Sequence, residues 1–166
     1  MSKVVHGIYL LLGANLGDPP ATFEQARKMM KPSITISRTS GLYITPPWKM
    51  SSKNMFYNQV LEVSTRLKPQ DLLLELLDIE KEIGRVRGDS GLYEDRLIDI
   101  DILLFSDFLV EDDALVIPQR NIENRAFALL PLLELAPELR DPRNGEYFKN
   151  RLSFLQKEIS EINKLA

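Results

Sequence analysis

The stretch Arg96-Leu97-Ile98-Asp99-Ile100-Asp101-Ile102-Leu103-Leu104-Phe105 constrains this chain more than any other. Side chains alternate along a strand, so Ile98, Ile100, Ile102 and Leu104 are expected on one face as a core stripe, with Leu97, Asp99, Asp101, Leu103 and Phe105 on the other. That second face then holds two carboxylates ~6.5–7 Å apart among apolar neighbours. Two like charges in such a setting are unfavourable without a compensating cation. Hard oxygen ligands at this spacing suit Mg²⁺, which takes one or two carboxylates and completes its shell with water and phosphate oxygens. A structural network of both aspartates with arginines is the alternative reading of the same strand.

Around it the chain alternates strand and helix signals. Val4–Leu12 reads as a buried strand and Gly13-Ala14-Asn15-Leu16-Gly17 as a loop. Asp18 is placed as an N-cap, with Pro19 opening a helix over 18–31 that carries Phe23, Ala26, Met29 and Met30 at helical spacing. Ile34–Ile44 is predicted as one strand stopped by Thr45-Pro46-Pro47-Trp48, and Asn58–Arg66 as the next. Pro69 starts a helix bearing Leu72, Leu73, Leu76, Leu77 and Ile83, ended by Gly84. After a loop over 85–95 comes the strand Leu97–Phe105. The order β-α-β-β-α-β predicts an α+β fold with a ferredoxin-like core. Residues 107–118 read as a hairpin adding an edge strand, 124–135 as a helix, and 148–165 as an amphipathic helix with Phe148, Leu152, Leu155, Ile159 and Ile162 in register. No repeat or linker interrupts the 166 residues, so 1–166 is expected to be a single domain.

Composition excludes several functions. A net charge of −3 argues against a general nucleic-acid binder, and no apolar run approaches the ~20 residues of a membrane span. The absence of cysteine removes disulfides, thiolate metal sites and cysteine nucleophiles, and suits a reducing cytoplasm. His6 is the only histidine, which rules out a Ser-His-Asp triad and a multi-His zinc centre, and it reads as structural. The arginines favour the metal reading of the Asp pair. Every basic residue between Glu82 and Phe148 is arginine (Arg85, Arg87, Arg96, Arg120, Arg125, Arg140 and Arg143), although the chain holds ten lysines. A guanidinium fork grips phosphate oxygens bidentately, as an ammonium cannot. Arginines flanking paired carboxylates are what a Mg²⁺-polyphosphate site requires. A metal-dependent phosphodiesterase or nuclease, and a ligand-binding module without catalysis, remain as rivals on these residues alone.

Taken in order, several motifs resemble the hydroxymethyl-dihydropterin pyrophosphokinase family of folate biosynthesis. They are Gly13-Ala14-Asn15-Leu16-Gly17, Tyr43-Ile44-Thr45-Pro46-Pro47, Phe56-Tyr57-Asn58, Ile79-Glu80 with Gly84-Arg85-Val86-Arg87, the Asp strand itself, Pro118, Asn124-Arg125-Ala126-Phe127, Pro131-Leu132 and Ala136-Pro137. The resemblance covers about residues 4–150 and implies the same ferredoxin-like core. It implies transfer of pyrophosphate from ATP to the hydroxymethyl group of 6-hydroxymethyl-7,8-dihydropterin, releasing AMP. Asp99 and Asp101 match the ligands of two Mg²⁺ ions. Arg85, Arg96 and Arg125 match triphosphate or catalytic-loop positions, and Arg87 a helper in loop movement. Thr45 and Asn58 would hydrogen-bond the pterin edge beside Pro46, Phe56 and Phe127 would sandwich the ring, and Tyr93 would help cover it. Glu80 and Ile102 fall on the nucleotide pocket. Gln119 stands where many members have histidine on the nucleotide phosphates, with Arg120 next to it as a substitute, and 92–95 departs from the family's arginine-rich loop. Loops 13–18, 45–54 and 85–95 would close over the substrates. The chain is expected to act as a monomer.

Overall fold

The computed structural model describes residues 2–46, 54–84 and 97–165. β1 (Val5–Ala14) leads to α1 (Pro19–Met30), whose first turn is capped by Asp18, its Oδ1 accepting the Ala21 N–H at 3.2 Å. Phe23, Ala26 and Met30 turn inward at helical spacing. β2 (Ile34–Thr39) and β3 (Tyr43–Thr45) follow, then β4 (Phe56–Thr65) and α2 (Pro69–Ile83). α2 ends where Gly84 adopts the left-handed conformation at φ 110°, its N–H returning to the Glu80 and Lys81 carbonyls. Only a residue without Cβ takes that backbone freely, which makes glycine an effective stop. β5 (Asp99–Phe105), β6 (Val110–Glu111), β7 (Val116–Ile117), α3 (Ala126–Leu135), α4 (Gln156–Ser160) and β8 (Asn163–Lys164) complete the chain.

The main sheet is antiparallel with order β5-β1-β4-β3-β8, β2 also pairing with β4. Counting β2 and β3 as one broken strand, the order is that of the ferredoxin-like core predicted from the sequence. One face lies under α1 and α2, where Ile8, Leu10, Leu12, Phe23, Leu72, Leu76, Ile100 and Ile102 form the larger core. The other lies under α3, where Tyr9, Leu11, Val60, Leu103 and Leu104 meet Leu129, Leu132 and Phe148.

Four expectations change. The strand predicted over 34–44 breaks at Ser40-Gly41-Leu42, because the β2–β3 edge carries extra residues relative to β4: Ile36 pairs with Val63 but Arg38 with Glu62. In β5 the strict alternation fails for a related reason. Leu10 pairs with Ile102 and Tyr9 with Leu104, leaving Leu103 as the extra residue of a bulge. Leu104 therefore joins Leu103 beneath α3, and Phe105 returns to the Ile100–Ile102 face. Among the described residues the hairpin pairs only with itself, as a separate two-stranded sheet, tied to β5 by the Gln119 N–H on the Leu103 carbonyl at 2.9 Å. The helix predicted over 148–165 is instead a 3₁₀ segment (Phe148–Phe154), the short α4 and β8. Here pairing with β3 outcompetes a helix whose interior holds Asn150, Ser153 and Asn163. Among the described residues no helix is long and apolar enough to cross a membrane.

Candidate active site

Three strands set one row of side chains on the α3 face of the sheet. Asn58 in β4 stands opposite Gly13 in β1, and Gly13 opposite Asp99 in β5. Tyr43 in β3 extends the row beyond Asn58. Directly opposite residues of an antiparallel ladder share a face, so Asn58 and Asp99 flank a position that has no side chain. Gly13 is the floor between them. Two residues along, Asp101 stands opposite Leu11, which is itself opposite Val60 under α3. The carboxylate pair thus begins where the apolar floor of α3 ends.

Asp99 and Asp101 are both half-buried. Gln119 Nε2 donates to Asp101 Oδ2 at 2.9 Å, fixing the amide so that its Oε1 is buried with no donor among the described residues. An orphaned acceptor of this kind costs on the order of 1–3 kcal/mol unless a ligand or water satisfies it. A cavity of about 380 Å³ opens beside it, lined by Leu73 and Leu77 of α2, Ile100, Asp101 and Ile102 of β5, and Gln119. Glu80, expected on this pocket, is 2% exposed and lies outside the cavity lining; its Oε2 accepts the Ile100 N–H at 2.9 Å. That carboxylate braces the backbone between the two aspartates.

On the other side of the row, Asn58 and Thr45 are 3% and 5% exposed. Asn58 Nδ2 donates to Thr45 Oγ1 at 3.1 Å and leans on the Tyr43 carbonyl at 3.4 Å. Phe56 stands opposite Thr45 in the ladder. A small cleft of about 80 Å³ brings Thr45 and Pro46 against Asn124 and Phe127, closed at its rim by Glu158, Glu161 and Ile162. The Arg125 guanidinium lies 6.0 Å from the centroid of the Phe127 ring. Tyr43 Oη donates to Glu134 Oε1 at 2.6 Å. Burial and this acidic neighbour push the Tyr43 phenol up. Burial also pushes the Glu134 carboxyl up, but bonds from Tyr43, Lys164 and the Gly41 N–H outweigh it and hold it below the usual range.

The structure therefore gathers Asp101, Ile102 and Gln119 at one cavity, Thr45, Pro46 and Phe127 at another, and Asn58 and Asp99 in the row between. Arg120 joins neither; it is exposed and lines a separate cavity of about 370 Å³ with Glu111, Glu123 and Arg143. Arg85, Arg87, Tyr93 and Arg96 lie outside the described residues. Glu134 escapes a motif-based reading, although it is the only charged residue in the run Ala126–Leu135. Glu158, Glu161 and Ile162 lie in a stretch whose periodicity suggests packing alone.

The α+β sheet thus carries Asp101 at one cavity and Thr45 at a second cleft, with Asp99 and Asn58 in the row between them. Residues 9–137 match the sequence model of 7,8-dihydro-6-hydroxymethylpterin-pyrophosphokinase (HPPK). The chain belongs to this family and is an ATP-dependent pyrophosphokinase of folate biosynthesis. It is 40% identical over 133 residues to the 2-amino-4-hydroxy-6-hydroxymethyldihydropteridine pyrophosphokinase of Methylorubrum extorquens, covering 79% of this chain and 83% of that protein. The enzyme of the same name from Aquifex aeolicus is 36% identical over 135 residues, covering 81% and 83%. The fold superposes on Plasmodium falciparum HPPK-DHPS, wild type with SDX-DHP, with a TM-score of 0.73 at 15% identity, covering 97% of this chain. This chain spans 46% of that longer one.

Proposed function

We propose that this protein transfers pyrophosphate from Mg²⁺-ATP to the hydroxymethyl group of 6-hydroxymethyl-7,8-dihydropterin and releases AMP, with Asp99 and Asp101 holding two Mg²⁺ ions. The observation that carries the reading is the row Asn58–Gly13–Asp99, which puts the acidic pair and the Asn58–Thr45 edge on one open sheet face. The donor set fits the metal. Among the described residues no cluster of three or more His, Cys, Asp or Glu gathers, and Mg²⁺ needs only one or two carboxylates when substrate phosphates and water complete its shell. The orphaned Gln119 Oε1 beside Asp101 fits a donor brought by the nucleotide or by a metal-bound water.

In this reading Leu73, Leu77, Ile100 and Ile102 seat the nucleotide base, and Gln119 orients Asp101 through its Nε2. Asn58 and Thr45 fix the rotation of the pterin by its polar edge, while Phe56 and Phe127 flank its ring. Arg125, at the start of α3, faces the phosphates, and Arg85, Arg96 and Arg87 join it as the family resemblance implies. Mg²⁺, when bound, neutralises phosphate charge and favours in-line attack on the β-phosphorus. The nucleophile is the substrate's own hydroxyl, so the chain contributes positioning and electrostatics and forms no covalent intermediate. The test is product analysis after incubation with Mg²⁺-ATP, with and without the pterin. AMP formed only when the pterin is present supports the reading; ADP as the nucleotide product, or pterin-independent hydrolysis, overturns it.

A further inference from the structure

The family match ends at residue 137, yet the residues after it frame the pterin-side cleft. β3 is only three residues long, and without β8 it would be the edge of the sheet. Short edge strands fray, because half of their backbone groups face solvent. β8 covers that edge: Lys164 pairs with Tyr43, Asn163 with Ile44, and the Leu165 N–H donates to the Leu42 carbonyl at 2.8 Å. A single carboxylate then ties this edge to α3. Glu134 Oε1 accepts the Tyr43 hydroxyl at 2.6 Å and pairs with Lys164 Nζ at 2.9 Å, while its Oε2 accepts the Gly41 N–H at 3.0 Å. α3 is the helix whose first turn carries Phe127.

The chain of contacts runs directly into the site. Tyr43 offers the carbonyl on which the Asn58 amide leans, and Thr45, two residues on, offers the hydroxyl that accepts from it. We infer that Glu134 and Lys164 are positioning residues for the pterin side of the reaction: with β8 they lock β3 between β4 and the C-terminal strand, so that Thr45 and Asn58 present a fixed polar edge. This inference rests on the reading of Thr45 and Asn58 as pterin contacts. Lys164 is half-exposed, so its ion pair alone is worth little. The effect comes from the ladder and the shared carboxylate together.

The test uses the full-length chain with Lys164→Ala combined with Leu165→Pro, which removes the ion pair and the Leu165 N–H donor while adding no bulk to the cleft. KM for hydroxymethyl-dihydropterin is expected to rise on the order of tenfold, with KM for ATP unchanged within about twofold. Lys164→Arg alone should keep the parent values, and amide hydrogen exchange over residues 42–45 should accelerate in the double variant. Unchanged pterin KM in the double variant overturns the inference, as does an equal rise in both KM values, which marks general loosening. A parent chain that turns over ATP without using the pterin overturns the site reading itself, and is told apart from the first failure because it appears before any substitution is made.

Discussion

On the face of the sheet covered by α1 and α2, β1 and β5 present Ile8, Leu10, Leu12, Ile100 and Ile102, all at most 4% exposed. On the opposite face the same two strands present Leu11 and Leu103 beneath α3, and then Gly13, Asp99 and Asp101. One face is thus apolar from end to end, while the other changes character where its helix stops. The difference separates two tasks in a single pair of strands. Continuous burial on the first face makes the strands rigid, and that rigidity is what lets the second face hold two like charges and an empty row position in register. Sites built on strands are more precise than sites on loops for this reason. The sharpest consequence is that substitutions one residue apart in β5 or β1 should affect different observables.

The largest effect is expected at Asp101→Asn. The change is nearly isosteric and leaves an oxygen to accept from Gln119 Nε2, so packing survives. Removing one of two adjacent like charges also relieves repulsion in the apo protein, so the urea midpoint should stay level or rise. Turnover should fall by roughly 10²–10³-fold, the scale for losing one group that stabilises transition-state charge. An Asp101→Asn enzyme with near-parental kcat would break the division between the faces. The converse experiment is Leu10→Ala, one residue from Leu11 and completely buried. It should cost about 2–5 kcal/mol in unfolding free energy and leave kcat of the remaining folded protein close to that of the parent.

Much of the α1–α2 face can be read from the sequence because its signals are local. Asp18-Pro19 and Pro69 mark helix starts, Gly84 marks a stop, and Leu72, Leu76 and Ile79 repeat at helical spacing. The Asp99–Asp101 pair is legible for the same reason, since strand alternation alone puts both on one face. What escapes depends on register. Alternation cannot show that Leu103 is an extra residue, so the faces of Leu104 and Phe105 exchange. It cannot show that Asn58 and Asp99 lie across Gly13, which requires three strands to align. The periodic apolar residues of 148–165 suggest a helix, whereas the contact that decides the segment is pairing with Tyr43 and Ile44, well over a hundred residues away. Glu80 belongs in both accounts: its motif points to the nucleotide, whereas its carboxylate accepts the Ile100 N–H of β5.

Gly13→Ala is the smallest change that tests the comparison, and its two effects should have opposite signs. Gly13 does not adopt positive φ, so alanine fits its backbone and lowers the entropy of the unfolded chain, a stabilisation of about 0.4–1 kcal/mol. The added methyl would meet Asn58 Oδ1 at 3.8 Å and the Tyr57 carbonyl at 4.0 Å, both ordinary contacts, so no strain offsets that gain. On the α1–α2 face such a substitution would be expected only to stabilise. In the row between Asn58 and Asp99 the same methyl raises the floor on which, in the proposed reading, the two substrates approach each other. Positioning errors of an ångström are costly in a reaction that depends on alignment, and kcat/KM should fall roughly tenfold. A Gly13→Ala protein that melts higher and turns over more slowly would show that the glycine is kept for the open row and not for the strand. One that melts higher with undiminished kcat/KM would mean that the reacting groups do not meet over Gly13, and the site would have to be sought further along the sheet.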